Sequence, residues 1–379
     1  MPLFALLTRA RPALAAFAAM GILWGTFAAD LPDIKAMLGV DESRLGLLMF
    51  LTPIAAVLSM LIAPMAGVAF GRVALPIASV LMCIGFVLPG QTASVWLFPI
   101  AMLAAGAGTG LTDVLMNARV ADLENRGPPM MNLCHAAYSF GYAAGAIATG
   151  LLRDHGFGPP VVFGLMASAA LVLALFSYEA DGRIEGLSKP RGAGGAGLGL
   201  VPLIGGGMVF IAFLTENAAE SWSALHIEKT LGGSPAHGAM GPAIMAVTMG
   251  VSRLFGQVLA QHVSAARLLL GGALISACGS MTAALAVSPT MAYAGFVVMG
   301  IGSSVIAPTA FSLVGQRADP QARARAVARA TLVGYFGYFF GPPMFGFVAG
   351  HAGLRFAFVL AALMLAFIPI LSRILTRRG

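Results

Sequence analysis

Charge is what this sequence lacks. Only 10% of its 379 residues are Asp, Glu, Lys or Arg, where soluble domains carry roughly a quarter. A chain so poor in charge cannot clothe a globule of this length in water-binding side chains. Its hydrophobic share of 59% and mean hydropathy of +0.89 assign the bulk of it to lipid. Cysteine is scarce as well, with three in all. Cys83, Cys134 and Cys278 are far apart, form no CxxC and fall inside apolar stretches, so neither a disulfide framework nor a thiolate metal site is implied. Also missing are HExxH, GxxxxGK[ST] and a GxSxG elbow. Gly106, Gly108 and Gly110 lie within an apolar span, which rules out a dinucleotide loop. Asp113 follows Gly110, Leu111 and Thr112, so the Gly-x-Gly-Asp word of intramembrane aspartyl proteases is absent. We expect no cofactor, no metal and no nucleotide; any transport must draw on gradients.

What is present is length in apolar runs. A spanning helix needs roughly 20 apolar residues, and twelve such stretches can be read, centred near Leu23, Val57, Leu81, Leu103, Ala143, Leu165, Val209, Val247, Leu274, Met299, Tyr338 and Leu363. The expected class is an all-α, multi-pass membrane protein with short loops. Arg9 and Arg11 precede the first run, which continues to about Ala28 and reads as a retained span rather than a cleaved signal. The net charge of +7 is distributed, not clustered for nucleic acid. Arg9, Arg11, Arg72, Arg119, Arg126, Arg183, Lys189, Arg191, Arg267 and the run from Arg317 to Arg329 fall on one side, with Arg373, Arg377 and Arg378. Lys35, Arg44, Arg153, Lys229 and Arg355 fall on the other. This is the positive-inside bias, and it puts both termini in the cytoplasm.

One phrase is written twice: FGYAAGAIATG at Phe140–Gly150 and FGYFFGPPMFG at Phe336–Gly346, with His155 and His351 following in step. A second echo pairs GAGTG at Gly106 with GIGSS at Gly300. Between the copies lies the polar, glycine-rich stretch Glu179–Gly199, a flexible connection in composition. The chain therefore divides into residues 1–180, a linker at 181–199, and residues 200–379, with six spans in each half. Six spans per half make the repeats parallel. Gly141, Gly145, Gly337 and Gly341 are first of all packing residues that let helices approach closely in lipid.

Ionisable groups inside lipid are costly and mark function. Spans three, six, nine and twelve are bare of them, as expected of helices facing hydrocarbon. Asp30, Asp113, Glu216, Glu220 and Arg253 are candidates for proton or charge coupling. Asn117, His135, Tyr138, Asn217, Trp222 and Gln257 are candidates for solute contact. Asp113 and Asn117, Glu216 and Glu220, and Arg253 and Gln257 are each four apart, so each pair presents one polar stripe. Two like charges on one face favour a shared proton unless a cation lies between them. Each has a plainer reading too: Asp30 solvated beside Asp33, Asn117 as interhelical glue, His135 as a hydrogen-bonded interior group, Arg253 as the charge that keeps a cavity neutral.

The stretch GAGTGLTDVLMNARVADLENRGPPMMNLCHAAYSFGYAAGA, with ENAAESWSALHI in span seven, resembles the fucose-permease-like branch of the major facilitator superfamily, including its rhizopine-uptake relatives. In that branch span four carries an Asp–Asn pair and span five opens with Asn and His before a Ser-x-Gly run; here these fall on Asp113, Asn117, Asn132, His135 and Ser139–Gly141. The resemblance implies twelve transmembrane helices in two parallel six-helix repeats, and alternating access about a central site. The chain departs from the superfamily in PMAGVAFGR, which keeps Gly67, Gly71 and Arg72 without the usual Asp, and in Ala146, where antiporters place Pro. We therefore expect a proton-coupled carrier, with Na⁺ in place of H⁺ as the alternative, moving a small sugar-like solute across a bacterial inner membrane as a monomer, with no enzyme activity. Two rivals stand beside it. One is a proton-antiport exporter of metabolites, siderophores or drugs. The other is a membrane-embedded enzyme, which would need catalytic groups beyond the Glu216/Glu220 pair.

Overall fold

In hydrocarbon every backbone amide must find its partner within the segment, which leaves helices for a chain of this composition. The computed structural model describes residues 3–125, 127–128, 130–184, 187, 199–259, 262–318 and 323–377, in part without side chains. Most of the linker expected at 181–199, and residues 319–322 of the basic stretch, lie outside them. Among the described residues there are thirteen α-helices and no strand. They are α1 (Leu3–Leu38), α2 (Glu42–Met49), α3 (Leu51–Phe70), α4 (Ala74–Val87), α5 (Phe98–Glu124), α6 (Met131–Asp154) and α7 (Pro159–Leu175), then α8 (Val201–Leu225), α9 (Pro235–Leu259), α10 (Ala265–Ala284), α11 (Pro289–Arg317), α12 (Arg323–Ala352) and α13 (Leu354–Arg377). The pieces α2 and α3 follow one another as the second span, and each other helix makes one further pass, so the order accommodates twelve. Eight stretches are long and apolar enough to cross a bilayer by length and composition alone. The apolar α7 is shorter at 17 residues, and α6 interrupts its apolar run with Asn132 and His135.

The helices gather into two compact units. The first holds Met1–Val40, Leu48–Arg191 and Ser234–Ala243; the second holds Asp41–Leu47, Gly192–Gly233 and Ile244–Gly379. Two short pieces depart from a division into sequence halves, and glycine explains both. In the first unit Gly150 leaves a notch that Ala239 and Pro235 fill, and Asp154 Oδ1 accepts from the Ala236 amide at 3.4 Å. In the second unit Gly46 lies on the Pro342 carbonyl, and Ser43 Oγ donates to the Gly346 carbonyl at 3.4 Å.

Within each unit the repeated words do the same work. GAGTG seats α5: a methyl group at Gly106 would strike the Thr52 carbonyl of α3, and one at Gly108 would stand 2.5 Å from Met82 Cα of α4. GIGSS seats α11, with Gly302 on the Gly272 carbonyl of α10 and Ser303 hydrogen-bonded to Ser276 at 2.7 Å. The FGY glycines seat α6 on α1 and α12 on α8, Gly141 against Ala18 and Gly337 against Phe210. Aromatic rings fill the remaining space, Trp24 edge-on to Phe86 at 5.1 Å in one unit and Phe296 against Phe358 at 5.5 Å in the other. The helices α4, α7, α10 and α13 expose many large apolar side chains, among them Leu81, Ile84, Leu165, Val172, Leu274, Leu363 and Phe367, with the exposed Arg267 and Arg373 near the ends of α10 and α13.

Candidate functional site

In the first unit α5 and α6 carry the polar stripe. Asp113 and Asn117 are half-buried one turn apart. Asn117 Nδ2 donates to the Asp113 carbonyl at 2.8 Å and to its carboxylate at 3.1 Å. The amide thus fixes the rotamer of the acid it follows. On α6, His135 and Tyr138 are also half-buried; His135 meets the edge of Phe17 with centroids 5.0 Å apart, and Tyr138 leans on Tyr142 at 6.0 Å. Tyr142 itself is interior, 2% exposed.

Asp30 is not solvated with Asp33. It is wholly buried and faces Arg153 of α6, whose Nε lies 3.3 Å from its carboxylate. The same guanidinium reaches Asp33 Oδ1 at 2.7 Å and donates to the Ala29 carbonyl at 2.7 Å. Arg153, counted from sequence as a loop charge, is therefore the interior partner of α1. The signal was present: Asp30 ends the first span and Arg153 ends the fifth, and odd-numbered spans finish on the same face.

Arg119 was likewise read only as a topology charge. It is buried at the end of α5, bonded to Asp122 at 2.8 Å and to Glu179 Oε2 at 2.8 Å, with the Asp181 carbonyl at 3.2 Å. It fastens α5 to the segment beyond α7. The i,i+3 pair with Asp122 is visible within one helix, but the tie beyond α7 is not, because Glu179 and Asp181 lie about sixty residues on.

In the second unit Glu216 is nearly buried and its Oε2 lies 3.9 Å from Arg253 Nη2. Glu220 follows one turn later, half-buried. If both acids were ionised, one guanidinium could balance only one of them, and the remainder must be met by a proton or a bound cation. Asn217 is half-buried between them. Trp222 departs from its expected role: it is 0% exposed and packs on Gly346, so it offers no surface to a solute. The Gln257 side chain lies outside the described residues. Half-buried rings that the sequence reading passed over lie in the same unit, Phe213 of α8 and Tyr335 and Tyr338 of α12. Phe213 and Tyr338 are stacked at 4.7 Å. The spacing of Phe213, Asn217 and Glu220 along one face could have flagged the first of these.

Cys83 and Cys134 are buried and Cys278 is exposed, all as free thiols. Among the described residues no group of three or more His, Cys, Asp or Glu side chains is placed to hold a metal ion. The arrangement is one of half-buried acids, amides and rings on otherwise largely apolar helices.

Comparison with known proteins follows the same line. The sequence model of the Major Facilitator Superfamily matches residues 205–378. An uncharacterized MFS-type transporter of Yersinia pestis is 30% identical over 371 residues, covering 96% of this chain and 94% of its own. The membrane protein MosC of Rhizobium meliloti is 25% identical over 336 residues, 88% of this chain and 82% of its own. Among solved structures, the inward-open xylose transporter XylE from E. coli superposes with a TM-score of 0.74 at 15% identity, covering 97% of this chain and 96% of that one. At that identity the likeness speaks for the fold alone. A 30% identity across 96% of the chain to an MFS-type transporter, on a helical fold of this kind, settles the larger question: the chain is an integral multi-pass membrane protein and belongs to the major facilitator superfamily of transporters.

Proposed function

We propose that this transporter is a proton-coupled carrier of a small, sugar-like solute, working by alternating access in a bacterial inner membrane with both termini cytoplasmic. The observation that carries the reading is the composition of the half-buried stripes. Asp113, Asn117, His135 and Tyr138 in one unit, and Asn217, Glu220 and the Glu216–Arg253 pair in the other, are polar groups within the middle of helices whose neighbours α4, α7, α10 and α13 expose mostly large apolar side chains. Polar groups persist in spans where they line a wet path, because hydrocarbon would charge several kcal/mol for each.

Asp113 and the Glu216/Glu220 pair serve as the proton sites, Arg253 as the charge that alternates with the proton, and Asn117, His135, Tyr138 and Asn217 as solute contacts. Asp30 is assigned a coupling role through Arg153: loss of its negative charge would loosen the hold of α6 on α1. The test is accumulation in proteoliposomes under an imposed pH gradient, using a panel of monosaccharides. Asp113→Asn should abolish gradient-driven accumulation while leaving solute exchange measurable. Intact accumulation in that variant removes Asp113 from the coupling path.

A further inference from the structure

From residue 230 to its end the chain carries ten arginines, no lysine and a single acid, Asp319. Arg253 faces Glu216, and Arg355 at the start of α13 donates to the Ala284 carbonyl at 2.9 Å. Most of the others sit where α11 and α13 end and α10 and α12 begin: Arg267, Arg317, Arg323, Arg325, Arg329 and Arg373. The structure draws these ends together. Arg317 Nη1 donates to the Thr376 carbonyl at 3.1 Å, which ties α11 to α13. A methyl group at Gly315 of α11 would stand 3.7 Å from Arg323 of α12, and Val314, Ala326 and Ala330 join the same two helices in a buried apolar cluster. Arg267, Arg323, Arg329 and Arg373 are exposed.

Among the described residues the acids of this unit lie elsewhere. Glu216 and Glu220 stand at least about 22 Å along α8 from its start at Val201. Glu228 follows the far end of that helix. Asp41 and Glu42 belong to the segment whose Ser43 meets Gly350, at the far end of α12. The first unit balances its charges differently. There Arg119 is bonded to Asp122 and Glu179, and Glu124 of α5 accepts from the Met131 amide, at the start of α6, at 2.7 Å. The repeat makes α12 the counterpart of α6, yet α12 opens on arginine. Cations near the start of a helix, and cations four apart on one face as Arg325 and Arg329 are, both work against it. Negative charge from outside the chain relieves both.

We propose that this end of the second unit is a docking surface for the anionic phospholipid headgroups of the cytoplasmic leaflet, phosphatidylglycerol or cardiolipin. The arginines stand at the ends of membrane-spanning helices, where a lipid phosphodiester is the anion at hand. A guanidinium grips phosphate with two parallel N–H groups, as an ammonium does not. A second copy of the same surface would bring like charge to like charge. The choice of leaflet rests on the cytoplasmic termini proposed above; the headgroup chemistry does not.

The test is titration of the purified full-length protein in neutral detergent, read by native mass spectrometry and melting temperature. The probes are short-chain phosphatidylglycerol, phosphatidylcholine of the same chain length, and inorganic phosphate. Phosphatidylglycerol should bind about tenfold or more tighter than phosphatidylcholine, as expected of a few arginines acting together, and should raise the melting temperature. Phosphate at equal concentration should not. Arg323→Gln/Arg329→Gln/Arg373→Gln should lose most of the preference. Arg44→Gln/Arg72→Gln/Arg183→Gln, which removes exposed cations elsewhere, should keep it. Equal binding of the two lipids by the wild type, or equal loss in the two variants, overturns the docking surface and leaves the orientation untouched. Stabilisation by phosphate as large as that by phosphatidylglycerol makes this a site for free anions and overturns the lipid assignment. Orientation is read separately in cells, with Arg373→Cys in a Cys278→Ala background. An impermeant thiol reagent should label it only once the membrane is opened, and labelling from outside overturns the leaflet while headgroup binding stands.

Discussion

The α1–α6 pair of the first unit and the α8–α12 pair of the second are built from the same phrase and end differently. Gly141 meets Ala18, and Gly337 meets Phe210. That register aligns Gly21 with Phe213, Gly25 with Asn217, Asp30 with Trp222, and Arg153 with Ala349. In the first unit both helices carry glycine, so Gly21 and Gly25 press on the Tyr138 and Tyr142 carbonyls while Gly145 presses on that of Ile22. The result is a backbone seam, closed at its end by the Arg153 ion cluster. In the second unit α8 carries glycine only nearer its start, with Gly206 against Val333 and the Ala330 carbonyl, and none at the positions equivalent to Gly21 and Gly25. The facing positions hold a ring and an amide, and the place of the ion cluster is taken by an indole resting on Gly346. Repeated sequence thus fixes how two helices dock, and the unrepeated partner decides whether the dock is a seam or a wall with chemistry on it.

The comparison can be broken most severely at Arg153. Arg153→Ala leaves Asp30 buried without its cation, a loss of about 4 kcal/mol, seen as a fall in melting temperature and in folded yield. Adding Asp30→Asn should recover a good part of it, with a coupling above about 1 kcal/mol in the double-mutant cycle. Independent, additive losses would show that the two residues do not act as a pair.

Next in size is Gly145→Ala. Its methyl group would meet only backbone of α1, at Ile22, so the helices must part, at about 3 kcal/mol. The equivalent change in the other unit sharpens the contrast. Gly341→Ala meets the Asn217 side chain, which can turn aside, and should cost about 1 kcal/mol in stability. Equal effects on the two melting curves would mean that the seams are alike after all. The smallest effect belongs to Asn117→Ala. Losing two hydrogen bonds to Asp113 should lower stability by about 1 kcal/mol, and should alter gradient-driven accumulation more than exchange.

Most of the helical order was legible in the sequence because lipid imposes one rule on it. Apolar runs of spanning length, Leu-rich at Leu81, Leu165, Leu274 and Leu363, become helices that show hydrocarbon. The glycine words were legible for the same reason, since close approach needs small residues at fixed steps. The four-residue pairs on α5 and α8 were visible through helical periodicity alone. What escaped were contacts between distant segments. Arg153 with Asp30, and Arg119 with Glu179, join residues whose neighbours in sequence give no hint of a partner. Trp222 escaped for another reason: a tryptophan among acids looks like a binding residue until a glycine on the facing helix makes room to bury it. Phe213 and the two tyrosines escaped because an aromatic in an apolar run is unremarkable until the facing helix is known.

The arginine at the end of α6 also constrains how the protein is made. Its acidic partners, Asp30 and Asp33, lie some 120 residues earlier in the chain, so the guanidinium, free to snorkel to the membrane surface on a lone helix, becomes an interior charge only when the first span docks against the fifth.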